Sequence, residues 1–543
     1  MNQTGNGQPQ QTAGIRDVDA LQMPDRVLLD HGARVLDPVT AVRSRDPRRL
    51  RPTAYVGDSL LVPHGMLAGE RFRSALDAAA AENGLRIVAD ETTVRRSELI
   101  AKSSTDCAVR VTLQPSGDRP TEVDAWRVLV SLRNSEGFTG DELSGIGLNH
   151  LLAGGWPMMG GGPVVVPGGN WPVLPSGPLT EYGRAGSGGR APVAYLGAPP
   201  MRSETLSTRR PVVAILDTGA GLHPWWDGQP DPTIMTRGVA LDGVPAGQTD
   251  PLTDPEARGD LLGPLDGVLD THAGHGTFIA GLIRQLCPDA NLLAIRVMAS
   301  DGIVDEDELI WALAVLHERL VRTRAGQIDD GHLDVVVLSL GYYHEALLDP
   351  ASDAPVLSAL LQALGSLGVI VVAAAGNDAT TRPMYPAAFT PYPGGLVAPD
   401  PDVVPLVSVG SRNPDASVAL FSNSGPWVNA WDVGAALVST FPVTFNGGAL
   451  SSVEIKDEFA GAPRRTIDPD NYGTIDGMLY SGGFGTWSGT SFAAPVLAGR
   501  LAQGLIDGPL RDPSVPNLDD NDQAAAVSRG LAALKSRPNV VLR

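Results

Sequence analysis

From residue 211 onward the chain alternates short, mostly apolar runs with stretches of helical pattern, and few folds accommodate that alternation. The runs cover residues 211–216, 291–298, 334–340, 369–375 and 404–409. Between them residues 276–285, 305–322 and 355–367 read as helices. A strand apolar on both faces must be covered on both faces. The segment is therefore read as α/β, a doubly wound and mostly parallel sheet between helices. In such sheets, chemistry gathers at the carboxyl ends of the strands. Asp305 reads as a helix N-cap, with Glu308 three residues on as its reciprocal partner.

Upstream the texture differs. Residues 1–52 are polar and Arg/Asp-rich and read as a mobile tail. Residues 53–150 read as a small N-terminal α+β module, with strands at 54–62, 85–88 and 107–113. Its helices fall at 70–82, stopped by Asn83-Gly84, and at 123–133. Residues 151–205 read as a Gly/Pro-rich linker, because residues 154–200 hold 13 Gly and 9 Pro among 47 positions. Its apolar patches, Val164-Val165-Val166 and Trp171-Pro172-Val173-Leu174, would gain from docking on a neighbouring domain. Residues 206–508 form the main domain and 509–543 a C-terminal extension.

The formal net charge of −20 repels phosphate, which argues against nucleic acid and anionic membrane as partners. Two cysteines, Cys107 and Cys287, exclude a disulfide-stapled fold and read as small packed residues. The polar N-terminus lacks a signal-peptide pattern, and the longest apolar run, 367–376, is too short to span a bilayer; the expectation is a cytoplasmic protein.

Four segments stand at strand ends or helix starts: Asp217-Thr218-Gly219, Gly274-His275-Gly276-Thr277, Ala375-Gly376-Asn377 and Gly489-Thr490-Ser491. They bring an acid, an imidazole, an amide and a hydroxyl. Nucleophilic acyl transfer needs that set: a hydroxyl attacks once a base takes its proton, a carboxylate orients the base, and fixed donors hold the oxyanion. His275 follows Asp217 by 58 residues and Ser491 follows His275 by 216.

This Asp, His, Ser order is that of the subtilisin type. The region from about residue 211 to 503 resembles the subtilisin-like (subtilase, S8) serine protease family. The resemblance rests on Asp217-Thr218-Gly219, on His275-Gly276-Thr277-Phe278-Ile279-Ala280-Gly281 and on Gly489-Thr490-Ser491-Phe492-Ala493-Ala494-Pro495, with support from Ser339-Leu340-Gly341 and Ala374-Ala375-Gly376-Asn377. It implies a subtilisin-like fold and a serine endopeptidase working through an acyl-enzyme, with no cofactor for catalysis and protein or peptide substrates. Asp217 would orient His275, His275 would act as general base and then acid, and Ser491 as nucleophile. Asn377 would help hold the oxyanion. Ser339, Leu340, Gly341, Ala375 and Gly376 would bind substrate, the first three as an added strand. Ser491 should open a helix, with Pro495 in its first turn.

The same residues admit other readings. An aspartic-protease loop at Asp217-Thr218-Gly219 needs a second copy, which is missing, and leaves the His and Ser segments idle. A catalytically dead binding module does not explain a complete set of side chains. His272 lacks the Gly-Thr that follows His275 and reads as a loop histidine; His223 reads as structural. Residues 226–270 hold nine acids against two arginines. Subtilases often bind structural calcium, but no specific motif supports it here, and the stretch reads as a solvated acidic loop. Residues 441–480, including Asp468-Pro469-Asp470-Asn471, look like an insertion that shapes access. The N-terminal module is similar in element order to subtilase pro-regions, which implies an intramolecular inhibitor docked on the protease domain; the alternative is a permanent recruitment domain.

Overall fold

The computed structural model describes residues 23–45, 48–103, 107–117, 120–135, 137–139, 141–154, 190–263, 265, 267–350, 353, 355–446 and 475–542. The patches at 164–166 and 171–174, most of the 151–205 linker, and residues 468–471 of the apparent insertion lie outside them.

The first half builds around a sheet of strands β1 (Ala33–Leu36), β2 (Thr53–Pro63), β3 (Leu85–Val88), β4 (Ala108–Pro115) and β5 (Gly147–Ala153). Its helices are α1 (Asp25–Asp30), α2 (His64–Leu67), α3 (Glu70–Glu82), α4 (Glu91–Ile100) and α5 (Ala125–Arg133). Order thus begins well before Thr53: β1 pairs antiparallel with the start of β2, so part of the expected tail is sheet. On β2, Ala54 and Val56 face one core while Tyr55 faces another. After a register shift between Tyr55 and Leu60 the parity reverses, with Leu60 and Val62 on the second face. That second face packs on α3 and α5, through Leu76, Trp126 and Leu129 among others.

The second half holds β6 (Ala191–Pro192), β7 (Val212–Asp217), β8 (Met235–Arg237), the hairpin β9 (Ala240–Leu241) and β10 (Val244–Pro245), β11 (Asn291–Arg296), β12 (Ile303–Asp305), β13 (Val335–Leu338) and β14 (Ile370–Ala374). It continues with β15 (Val407–Arg412), β16 (Ala430–Val433), β17 (Leu437–Thr440) and β18 (Phe484–Trp487). Its helices are α6 (His275–Leu286), α7 (Glu306–Arg324), α8 (Val356–Ser366), α9 (Thr490–Arg511) and α10 (Gln523–Lys535). Seven strands form one parallel sheet in the order β16-β15-β14-β13-β7-β11-β8. This is the doubly wound α/β fold expected from the apolar runs. Val213, Ile215, Val335 and Val337 share a core with α6 and α9. Ala214, Leu216, Val336 and Leu338 share the other with α7 and α8. Period-two alternation thus feeds both faces, and both are buried.

The two halves are not beads on a string. β12, from the main domain, pairs with β5 as the sixth strand of the N-terminal sheet. Ala54, Val56 and Leu61 join the core that contains Ile310 and Trp311 of α7. The acidic first turn of α7 meets basic and polar groups of the module: Arg96 forks onto Glu308 at 2.8 and 2.9 Å, and Asn149 donates to Asp307 at 2.7 Å. The cap expected of the Asp305 side chain is not made. Asn149 Oδ1 accepts the Asp307 N–H instead, at 3.1 Å. At the C-terminus α9 runs past residue 508, and α10 packs against it, with Leu534 in its core, so no break falls at that position. Both cysteines are free and buried. Among the described residues no helix is long and apolar enough to cross a membrane.

Candidate active site

β7 ends on Asp217 and α6 starts on His275, and the geometry between them is tight. The imidazole Nδ1 lies 2.8 Å from Asp217 Oδ1, and both side chains are buried. The same oxygen accepts the Thr218 N–H at 2.8 Å and faces its hydroxyl at 3.1 Å. A donor at Nδ1 leaves Nε2 as the lone-pair nitrogen, the tautomer a general base requires. The ring is wedged among aromatics, 5.1 Å from Phe492 and 5.4 Å from Trp487 between centroids. Gly276 is demanded by close approach: a β-carbon there would stand 2.1 Å from the Gly219 carbonyl oxygen. At Gly489, by contrast, a β-carbon would meet nothing nearer than 3.6 Å.

Ser491 is the second residue of α9 and is buried, and its hydroxyl has no hydrogen-bond partner among the described residues. An orphaned buried hydroxyl asks for an explanation, and a reactive group at a helix start supplies one. Pro495 is the sixth residue of α9, not part of its first turn. Its missing N–H would have bonded the Ser491 carbonyl, and the Ser339 hydroxyl donates to that carbonyl instead, at 2.8 Å. Ser339, expected to bind substrate, therefore also braces the helix that carries Ser491.

Asn377 follows β14. Its Oδ1 accepts the N–H and the hydroxyl of Thr490 at 2.8 and 2.9 Å, which fixes the amide orientation. Its Nδ2 lies 3.6 Å from where a Gly489 β-carbon would be. The Gly376 N–H donates to the Thr490 hydroxyl, and the Ala375 carbonyl accepts from Asn423. Gly341 and Gly376 both border Met384: a β-carbon on either would come within 2.6 Å of its thioether end.

The strand edge at Gly341 is already paired. Ala153 and Gly341 exchange both backbone hydrogen bonds, at 2.9 and 3.0 Å, and the Gly154 N–H donates to the Gly302 carbonyl at 2.8 Å. His272 is buried, as is the turn before α6 that carries it. It contacts the Gly154 carbonyl through Nε2, and burial, with the neighbouring His275, pushes it down to about 4. His223 accepts the Trp225 N–H and is likewise pushed down to about 4 by burial, a structural role.

The acids of residues 226–270 do not form one solvated loop. Asp227 pairs with Arg237, Asp231 with Arg202 and Asp242 with Arg322, while Asp270 accepts from two backbone N–H groups and Ser300. Glu256 is buried against Thr218 and Thr277, and sequence reasoning missed it because it sits among surface acids. Among the described residues, one group of three could hold a metal: His150, His344 and Glu345. His150 is already flanked at its two nitrogens by Glu306 at 2.6 Å and Glu345 at 3.0 Å.

Comparison with known proteins adds a family. The Subtilase family profile, Peptidase S8, matches residues 208–506. Among curated relatives, the minor extracellular protease Epr of Bacillus subtilis is 26% identical over 31% of this chain and 22% of its own length. Mycosin-4 of Mycobacterium tuberculosis is 27% identical over 45% of this chain and 50% of its own. Subtilisin BL of Lederbergia lenta is 25% identical over 48% and 80%. The first two are thus matched over half of their length or less.

Proposed function

The chain belongs to the subtilase family, and from that premise we propose that it is a serine endopeptidase with Asp217, His275 and Ser491 as its triad. The carrying observation is the buried His275–Asp217 hydrogen bond together with the unpartnered hydroxyl of Ser491. Ser491 Oγ attacks the scissile carbonyl as His275 Nε2 takes its proton, and the imidazolium is held by Asp217. The oxyanion is met by the Ser491 N–H at the start of α9 and by Asn377 Nδ2. His275 passes the proton to the leaving amine, the peptide's C-terminal part departs, and water repeats the cycle on the ester. The test is hydrolysis of a protein substrate by the parent chain and its loss in Ser491→Ala, with folding retained.

The N-terminal module acts as an intramolecular inhibitor in this reading. A substrate would add as a strand on Gly341, and Ala153 of the chain itself holds that edge. Gly154 lies against His272, and the Arg190 guanidinium donates to the Leu269 and Ala273 carbonyls, so both residues sit against the segment that precedes α6. Incubation followed by intact-mass measurement should show the module cut from the main domain; an uncut chain with full activity would count against an inhibitor.

A further inference from the structure

Glu256 ties together the two backbone segments that carry the acid and the base. Its Oε1 accepts the Gly276 N–H at 3.1 Å and contacts the Thr218 hydroxyl; its Oε2 faces the Thr277 hydroxyl at 2.5 Å. Gly276 and Thr277 directly follow His275, and Thr218 directly follows Asp217. The proton inventory is restrictive. Thr277 Oγ1 accepts the Gly221 N–H at 2.7 Å, so its own proton serves Glu256. Thr218 Oγ1 accepts the Gly276 N–H at 2.8 Å. Its single proton then goes either to Asp217 Oδ1, at 3.1 Å, or to Glu256.

Resting on the endopeptidase reading, we infer that Glu256 is a positioning residue for the triad: it clamps the Asp217 strand end to the His275 helix start and, through the Thr218 hydroxyl, sets how firmly the Asp217 carboxylate is held. A neutral Glu256 donates its proton to Thr218 Oγ1 and frees the Thr218 proton for Asp217. An ionised Glu256 competes for that proton and adds a negative charge near Asp217. Burial pushes its carboxyl up to about 7, against the hydrogen bonds from Thr218 and Thr277 and with help from the charges of Asp254 and Asp217. The other charged group bordering the same side of Gly219 is Arg296 at the end of β11. The Arg296 guanidinium turns away to the Gln248 and Asp250 carbonyls and to Asp254 at 3.8 Å.

The test uses the full chain and a small activated ester, p-nitrophenyl acetate, with kcat and KM measured across pH and thermal melting as the control for folding. Glu256→Ala should lower kcat by about 10–100-fold with KM within about twofold, the pattern of a misplaced base and not of lost binding. Glu256→Gln keeps the shape without the charge. It should hold kcat at alkaline pH within about threefold and change the rising limb of the pH profile, because a group that changes charge near neutrality is replaced by one that does not. If Glu256→Ala does not melt as a folded protein, Glu256→Gln decides. A Glu256→Gln limb that coincides with the parent's overturns the inference, as does a folded Glu256→Ala with parental kcat. A parent that turns over no ester in a Ser491-dependent way overturns the endopeptidase reading instead.

Discussion

At the scale of the residue, the proposed mechanism divides labour between groups that would react and groups that hold them. Asn377 is held by Thr490, so Asn377→Ala should lower kcat by about 10²–10³-fold with little change in KM, measured in the full chain on a small activated ester. Ser339→Ala leaves the Ser491 carbonyl unbonded, since Pro495 cannot serve it, and should cost about 1–3 kcal/mol in a denaturant melt. Met384 crowds the two glycines that would flank a substrate side chain, so small side chains should be preferred at the cleavage site. Met384→Ala should extend cleavage to larger ones in a peptide-library profile. The acid, base, amide and hydroxyl were legible in the chain because each lies in a short segment with small neighbours. Glu256 was not legible: its burial depends on three segments meeting in space, and its sequence context is a run of surface acids.

At the scale of the element, the parallel strands were legible because five apolar runs declare themselves without help from partners. The edge strands β8 and β16 and the bridging β12 were not. Each has three or four residues, too few for a period to emerge, and each is made by its neighbour. Helix α4 escaped for a related reason: only Ile100 of its ten residues is buried, and its start is set by Asp90 accepting the Thr93 N–H. The docking of β5 adds a titration. Burial works against a charged His150, but the Glu306 and Glu345 carboxylates outweigh it and lift the imidazole to about 9. The other groups around it are His344, Arg133 and Tyr342. A raised imidazole contributes docking stability in full below its free value, about 6.5, and loses that contribution as pH rises through about 9. Limited proteolysis should therefore release the module more readily at pH 9.5 than at pH 6.5. His150→Gln should flatten that dependence, and a parent equally resistant at both pH values would contradict it.

At the scale of the whole molecule, the N-terminal module and the protease domain share a sheet, a core and an ion-paired face. The sequence read them as two bodies and a linker because β-pairing between distant segments leaves no local trace. Under the proposed function, the shared edge is the one a substrate would need, and restraint of the enzyme would be built into the fold. Everything depends on Ser491 being the activated nucleophile. The most direct measurement treats the full chain with a fluorophosphonate, small enough to reach a covered cleft, and maps the adduct by peptide mass. The account predicts one adduct on Ser491, lost in His275→Ala and strongly slowed in Asp217→Asn. An unlabelled Ser491 in the folded parent, or labelling that persists without His275, would contradict it.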